Sequence, residues 1–358
     1  MFYDYVDSGS WNEITYKNNQ ADFAKYSFLQ KVGISINQIN TKSFFLGKEY
    51  SLPIAIAPTG LMGMVWPDGE IIAAKVAKKF NIPFCLSTMS ICSIEDVANS
   101  SPQDFWFQLY VMKDRGFVKN LIERAKNAKC SALVLTMDLQ VLGQRHKDIK
   151  NGLSIPPKIS IKNILNIASK IKWCQAILKS PHRTFGNIVG HHPKVCDMTS
   201  LSYWISQQFD PTLCWQDVEW IKNNWGGKLI IKGLMNQDDM VTAFNCGADA
   251  VIISNHGGRQ LDSTISAIQA LEKISVQLKK DNEIYFDSGI RSGQDVLKAL
   301  ALGAKNTFIG RAFLYGLGAN GEQGAIAAIE IIKKELETTM ALIGVDDIKK
   351  IDNRILCC

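Results

Sequence analysis

Apolar and β-branched residues along this chain gather in eight short runs. These are Pro53–Pro58, Pro83–Thr88, Phe105–Val111, Ser131–Asp138, Lys228–Gly233, Ala250–Asn255, Glu283–Gly289 and Asn306–Arg311. Most are almost unbroken in apolar residues, the pattern of a strand buried on both faces. Between them apolar positions recur at helical spacing. Asp68–Phe80 carries Ile71, Ile72, Val76 and Phe80, and Arg115–Ala128 carries Val118, Leu121, Ile122 and Ala125. Asn236–Cys246, Ser263–Lys280 and Ser292–Leu302 repeat the pattern. Eight strands alternating with helices predict an α/β fold, a (β/α)8 TIM barrel. An open, doubly wound sheet is the competing architecture. The count of eight, and a polar residue near the end of almost every run, favour the barrel.

The polar ends carry the functional argument, because barrel sites form at the C-terminal ends of the strands. Those ends offer Thr59 and Gly60, Ser87, Gln108 and Tyr110, Thr136 and Asp138, Lys232, Ser254 and His256, Asp287 and Arg291, and Gly310 and Arg311. Each alone reads as a turn residue, a helix cap or a rim charge. Together, from eight separate segments, they read as one mouth.

Two segments fall outside the alternation. Residues 1–48 precede it and look helical around Glu13–Phe28. Residues 151–210 interrupt the fourth repeat, far beyond an ordinary loop. The expected organisation is a single domain: an N-terminal segment 1–48, a barrel 49–345 containing the insertion, and a tail 346–358. Between Asn151 and Cys196 the insertion has Lys158, Lys162, Lys170, Lys172, Lys179, Arg183 and Lys194 and no acid, mixed with Ile, Leu and Trp. That mixture suits an anionic membrane surface; a solvated lid over the site is the plainer alternative.

Composition narrows the field. A net charge of +6 on 358 residues is mild and gives no reason to expect nucleic acid. No apolar run reaches the ~20 residues of a spanning helix, and Met1–Tyr5 has neither the basic nor the apolar region of a signal peptide. The nine cysteines are scattered without a C-x-x-C pair, which reads as reduced thiols and offers no zinc motif. The adjacent Cys357 and Cys358 read as a frayed tail.

The most informative stretch is Ser254–Asp262, S-N-H-G-G-R-Q-L-D, directly after the run Ala250–Ile253. Gly257 and Gly258 permit a sharp turn and close approach of a flat ligand. His256 accepts a proton near neutrality, and Arg259 grips a carboxylate through two parallel bonds. A base and an anion clamp on one loop suit a small acid with a proton to lose.

S-N-H-G-G-R-Q resembles the signature of the FMN-dependent α-hydroxy acid dehydrogenases and oxidases. Supporting motifs run from Phe2 to about Val345: Tyr3-Asp4-Tyr5 with Ser8-Gly9, A-P-T-G at Ala57–Gly60, F-Q-L-Y at Phe107–Tyr110, T-M-D with Arg145, I-K-G at Ile231–Gly233, D-S-G-I-R at Asp287–Arg291 and I-G-R at Ile309–Arg311. Leu86–Asp96 and Gly143–Asp148 look most similar to the bacterial respiratory L-lactate dehydrogenases. The resemblance implies roles. His256 is the base, paired with Asp138. Arg259 and Arg145 bind the substrate carboxylate with Tyr5, and Tyr110 the hydroxyl. Lys232 sits near the flavin N1–C2 carbonyl. Pro58, Thr59, Gly60, Ser87, Gln108, Thr136 and Ser254 surround the FMN ring, while Asp287, Ser288, Gly289, Arg291, Gly310 and Arg311 hold its ribityl chain and phosphate.

The same resemblance implies oxidation of L-lactate or a similar short 2-hydroxy acid, a quinone as electron acceptor, a homo-oligomer (a tetramer), and a peripheral place on the cytoplasmic face of the membrane. Alternatives are an oxidase passing electrons to oxygen, an FMN-barrel isomerase and a non-catalytic flavin-binding relative. No metal is expected. Two residues depart from the family pattern. Ser288 replaces a common Gly, which strains the loop if φ there is positive. Met89 replaces an aromatic residue of several relatives, which bears on substrate size.

Overall fold

The computed structural model describes residues 2–101, 104–152, 167–191, 204, 207–275 and 282–357. A strand forms within each of the eight runs: β1 (Ile54–Ile56), β2 (Cys85–Ser87), β3 (Trp106–Leu109), β4 (Ala132–Thr136), β5 (Lys228–Leu234), β6 (Ala250–Ile253), β7 (Ile284–Phe286) and β8 (Asn306–Ile309). The strands pair in parallel in the order β1-β8-β7-β6-β5-β4-β3-β2. A bridge between Ile56 and Phe84 links β1 to β2, so the barrel is nearly closed. A barrel helix lies after each strand: α1 (Gly69–Phe80), α2 (Ile94–Ser100), α3 (Arg115–Asn127), α4 (Trp215–Trp225), α5 (Gln237–Asn245), α6 (Ala267–Ser275), α7 (Gly293–Ala301) and α8 (Arg311–Leu342), with shorter helices at Met62–Val65, His146–Lys150 and Ile171–Lys179 in the connections. α8 is kinked where Asn320 and Gly321 leave helical angles.

Side chains alternate across a strand, and this alternation divides the core. Ala132 and Val134 of β4, and Ala250 and Ile252 of β6, belong to the cluster inside the barrel. Their neighbours Leu133, Leu135, Val251 and Ile253 join the larger cluster beneath the helices. A hairpin of Ser43–Phe45 and Lys48–Tyr50 closes the end of the barrel where the strands begin. Phe45 packs its ring 5.7 Å from Trp106 and 5.3 Å from Tyr285, centroid to centroid, and Leu46 N–H donates to the Tyr285 hydroxyl at 2.9 Å.

Continued two residues at a time toward the other end, the inward series turn polar. Ala57 leads to Thr59, Cys85 to Ser87, Trp106 to Gln108, Val134 to Thr136, Ile230 to Lys232, Ile252 to Ser254, Tyr285 to Asp287 and Phe308 to Gly310. One end of the barrel is thus an aromatic plug and the other a polar floor.

The N-terminal segment differs from a single helix over Glu13–Phe28. The helix stops at Ala21, a 3-10 turn covers Asp22–Lys25, and Ser27–Phe28 is extended. Phe23 and Tyr26 enter the core and draw the chain off the helical path; the Tyr26 hydroxyl donates to Glu272 at 2.8 Å. The tail is not frayed: Leu356–Cys357 pairs antiparallel with Ser27–Phe28. Much of the basic insertion, including Lys158, Lys162, Lys194 and Cys196, lies outside the described residues. Its described part contains a helix, Ile171–Lys179, and a turn at Phe185–Val189. The buried Asn187 fixes that turn. Its amide donates to Ser90 Oγ at 2.9 Å and to the carbonyls of Ser87 and Thr88, while its Oδ1 accepts from Ile94 N–H at 2.9 Å.

Candidate active site

The loop after β6 is held in an unusual backbone conformation. His256, Gly257 and Gly258 have φ of 60°, 66° and 72°. A Cβ on Gly257 would lie 2.6 Å from Arg311 Nη1, and one on Gly258 2.5 Å from Tyr16 N. Only glycine fits both the dihedral and the space. Ser254 Oγ accepts the His256 N–H at 3.0 Å and braces the turn.

The turn presents His256 to two partners. Its Nδ1 lies 2.9 Å from Asp138 Oδ1 and its Nε2 3.5 Å from the Tyr110 hydroxyl. Asp138 Oδ2 is buried without a hydrogen-bond partner among the described residues. Burial lowers the His256 pKa, with Asp138 opposing. Burial works against the Asp138 charge too, but His256 and Lys232 outweigh it and hold the carboxyl below its ordinary value. The resting pair is a neutral imidazole and a carboxylate. A proton arriving at Nε2 creates an imidazolium that the carboxylate stabilises.

Two guanidinium groups adjoin this pair. Arg259 Nη1 donates to the carbonyls of Tyr5 at 2.6 Å and Ser8 at 3.2 Å, and its ring partner is Tyr5 at 4.6 Å. Arg259 Nη2 is buried with no hydrogen-bond partner among the described residues; its ion-pair partner Asp148 Oδ2 stands 3.8 Å away. Arg145 Nε donates to the Arg259 carbonyl at 3.3 Å. Burial, and then the charge of Arg259, pull the Arg145 pKa down to about 10. Burial pushes the Asp148 carboxyl upward against the pull of both arginines. Two crowded cations and an unpartnered N–H define a site for a small anion.

Beside them lies the polar floor. Ser87 Oγ donates to Gln108 Oε1 and Gln108 Nε2 to Thr136 Oγ1, each at 3.1 Å. Lys232 Nζ is 3.0 Å from both Ser254 Oγ and Asp287 Oδ2. Burial disfavours its charge, yet Asp287 and Asp138 raise its pKa above the ordinary value. Thr59 Oγ1 donates to Ala57 O at 3.2 Å, and Gly60 sits against Met89. At the far side Ser288 and Gly289 both have φ of 96°. Ser288 tolerates this strained angle while its Oγ accepts the Gly257 N–H at 3.0 Å. α8 begins after Gly310 with no side chain capping its first N–H groups.

Most of the residues singled out in the sequence therefore line one mouth. Arg291 and Arg311 behave differently from each other. Arg291 donates to Ile290 O at 2.9 Å and lies 5.9 Å from the Tyr315 ring. Arg311 is bonded to the carbonyls of Val6 at 2.7 Å, Ser8 at 2.7 Å and Gly257 at 3.0 Å, and stacks on Tyr16. Burial, then Arg259 and Arg291, bring its pKa to about 9.

Three contributors carry no local signal that assigns them a role. Asp148 approaches Arg259 and accepts from Ser8 Oγ at 3.4 Å. Gln260 donates to the carbonyls of Asp138 and Val141, each at 2.8 Å. Asn187, described above, braces the loop after β2. Asp148 and Gln260 lie within stretches that carry the resemblance; Asn187 sits in the insertion, where spacing is uninformative.

Comparison with known proteins agrees with this geometry. The model of the family described as FMN-dependent dehydrogenase matches residues 1–358. An L-lactate dehydrogenase of Pseudomonas syringae pv. syringae (strain B728a) is 41% identical over 358 residues, covering 99% of this chain and 94% of the relative. One from Vibrio cholerae serotype O1 (strain M66-2) is 40% identical over 353 residues, covering 98% and 93%. Among solved structures, the monotopic membrane protein (S)-mandelate dehydrogenase superposes with a TM-score of 0.94 at 36% identity, covering 99% of this chain and 94% of that one. The chain belongs to the FMN-dependent dehydrogenase family, and as a member it uses FMN to oxidise a 2-hydroxy acid.

Proposed function

We propose that the substrate is L-lactate, or a similarly short L-2-hydroxy acid, and that the electrons pass from FMN to a membrane quinone. The observation that carries the substrate class is the unpartnered Arg259 Nη2 beside Arg145, next to the His256–Asp138 pair. The names of the lactate dehydrogenase relatives support the choice of acid.

The residues suit FMN. The N–H groups at the uncapped start of α8, and the consecutive positive φ angles at Ser288 and Gly289, suit a phosphate. Ser288, Gly289, Arg291, Gly310 and Arg311 would hold the phosphate and Asp287 the ribityl chain. Pro58, Thr59, Gly60, Ser87, Gln108, Thr136 and Ser254 would surround the ring, with the ammonium of Lys232 beside it. FMN, when bound, supplies the acceptor for two electrons.

The protein does the rest. Arg259 and Arg145 fix the carboxylate, with Tyr5 alongside, so the acid enters in one orientation. The Tyr110 hydroxyl bonds the substrate hydroxyl. His256 Nε2 takes a proton, and Nδ1–H donates to Asp138 throughout. Oxidation removes two electrons and two protons, of which His256 holds one. Lys232 offsets negative charge that gathers over the floor.

The test is optical. Purified protein is yellow, and its visible absorption bleaches on anaerobic addition of L-lactate. An unbleached spectrum refutes the reading. Mandelate in the same cuvette separates a short acid from an aromatic one. Reoxidation by a soluble quinone, compared with oxygen, decides the acceptor.

The described insertion supports a membrane site. On the helix Ile171–Lys179, Ile171 and Leu178 are 64% and 68% exposed, and Trp173 Nε1 donates to Met64 O at 3.1 Å, which anchors the helix to the barrel. No helix among the described residues is long and apolar enough to cross a membrane. We therefore place the protein peripherally on the cytoplasmic face. Flotation with anionic vesicles at low salt, and release at high salt, checks this; indifference to anionic vesicles at low salt reduces the insertion to a lid. We also propose a homo-tetramer, which light scattering measures.

A further inference from the structure

A second cluster of reactive side chains lies outside the mouth, and the mechanism does not use it. It joins three segments distant in sequence: the turn before α1, the loop between β2 and α2, and the insertion. Asp68 Oδ1 lies 2.7 Å from His182 Nδ1, and the Cys92 sulfur completes a trio whose ligand atoms all fall within 4.8 Å of one another. Cys92 is fully buried, while the Asp68 and His182 side chains are 38% and 21% exposed, which leaves a route from solvent.

Glu70 backs the Cys92 side of the trio. Glu70 is 1% exposed; its Oε1 accepts from Ile91 N–H at 2.9 Å, and its Oε2 is buried. A carboxyl and a thiol are thus neighbours in the core. On its other side His182 presents Nε2 to Asp96 Oδ1 at 3.4 Å. A carboxylate behind a histidine is the arrangement that orients metal-bound imidazoles.

We propose that Asp68, Cys92 and His182, with water in the fourth position, bind a divalent cation of the zinc type. Bonds of about 2.0–2.3 Å to N, O and S in a tetrahedron put ligand atoms about 3.3–3.8 Å apart. The cation replaces the proton shared by Asp68 and His182, which opens that contact by under ~1 Å, and draws the sulfur inward. Cys92, as thiolate, releases its proton on binding. The bound ion fastens the insertion to the loop that follows β2, where Gly186 already packs so tightly that a Cβ would lie 2.7 Å from Ile91 O. The sequence shows no such site because each ligand comes from a different segment.

Co2+ is the probe, added to metal-stripped, FMN-loaded protein lacking any affinity tag. Tetrahedral cobalt absorbs to the red of the flavin bands. The expected result is a ligand-field band that saturates at roughly one equivalent per chain and is displaced by Zn2+. His182→Gln abolishes saturable binding, Cys92→Ser removes the thiolate signature, and Asp96→Asn weakens affinity about 10–100-fold. His182 is on the half-exposed insertion, so its variant stays informative if the buried Cys92→Ser misfolds. No saturable band in the unmodified protein, or a band that survives His182→Gln, overturns the site.

Discussion

At the scale of single residues the decisive property is the protonation state of His256. Burial lowers its pKa from an ordinary 6.5. In the proposed mechanism the working form is neutral, so activity is present above the folded pKa and is lost as pH falls through it. The acid limb of kcat/KM should therefore lie below pH 6.5, and Asp138→Asn should displace that limb further down, because the partner that favours the charged ring is gone. A limb above 6.5 contradicts the assignment. His256→Gln should keep bound FMN and lose turnover by at least ~10²–10⁴-fold. Normal flavin reduction by that variant removes His256 from the mechanism. Ser288 illustrates a second residue-scale feature. Its φ of 96° suits glycine, and its hydroxyl gains bonds to Gly257 N–H and Ser254 Oγ that glycine lacks.

At the scale of elements the strands were the easiest to read, since each is buried on both faces and bounded by polar residues. The helices α2, α4 and α8 did not stand out. α2 spans only 7 residues and depends on a Ser93–Asp96 capping box, and α4 follows an insertion that hides its place in the alternation. The candidate site was legible where motif residues step off strand ends two at a time, as Val134 to Thr136 and Ile252 to Ser254. It was illegible where a distant segment folds back. Asn187 is the clearest case: a lone Asn in a basic insertion, yet it holds the loop that carries Ser87. Asn187→Ala strands the Ile94 N–H and the partners of its amide. It should lower stability by about 2–4 kcal/mol, from the ~1–3 kcal/mol cost of each buried group left unpaired. Thermal denaturation of the FMN-loaded protein measures this, and a change below ~0.5 kcal/mol, typical of surface substitutions, means the turn is held elsewhere.

At the scale of the whole molecule the barrel separates two tasks. The Phe45 plug closes one end and the polar floor works at the other. The chain's first residues, however, are tied to the working end. Arg259 holds the carbonyls of Tyr5 and Ser8 with one nitrogen and, in the proposed mechanism, offers the other to substrate, while Arg311 grips Val6 and Ser8. Arg259→Lys supplies a point charge without the fork. It should lower kcat/KM on the order of 10–100-fold, the equivalent of a charged hydrogen bond, while leaving FMN content intact; equal loss of both refutes the role. The shared guanidinium also makes the start of the chain an indicator of ligand occupancy. Chymotrypsin, which cuts after the aromatic residues among positions 2–5, should nick the free enzyme faster than the enzyme saturated with a 2-keto acid. In the Arg259→Lys protein that difference should shrink, so a gel of clipped and intact chain reports whether the mouth is filled, with no colour change and no turnover.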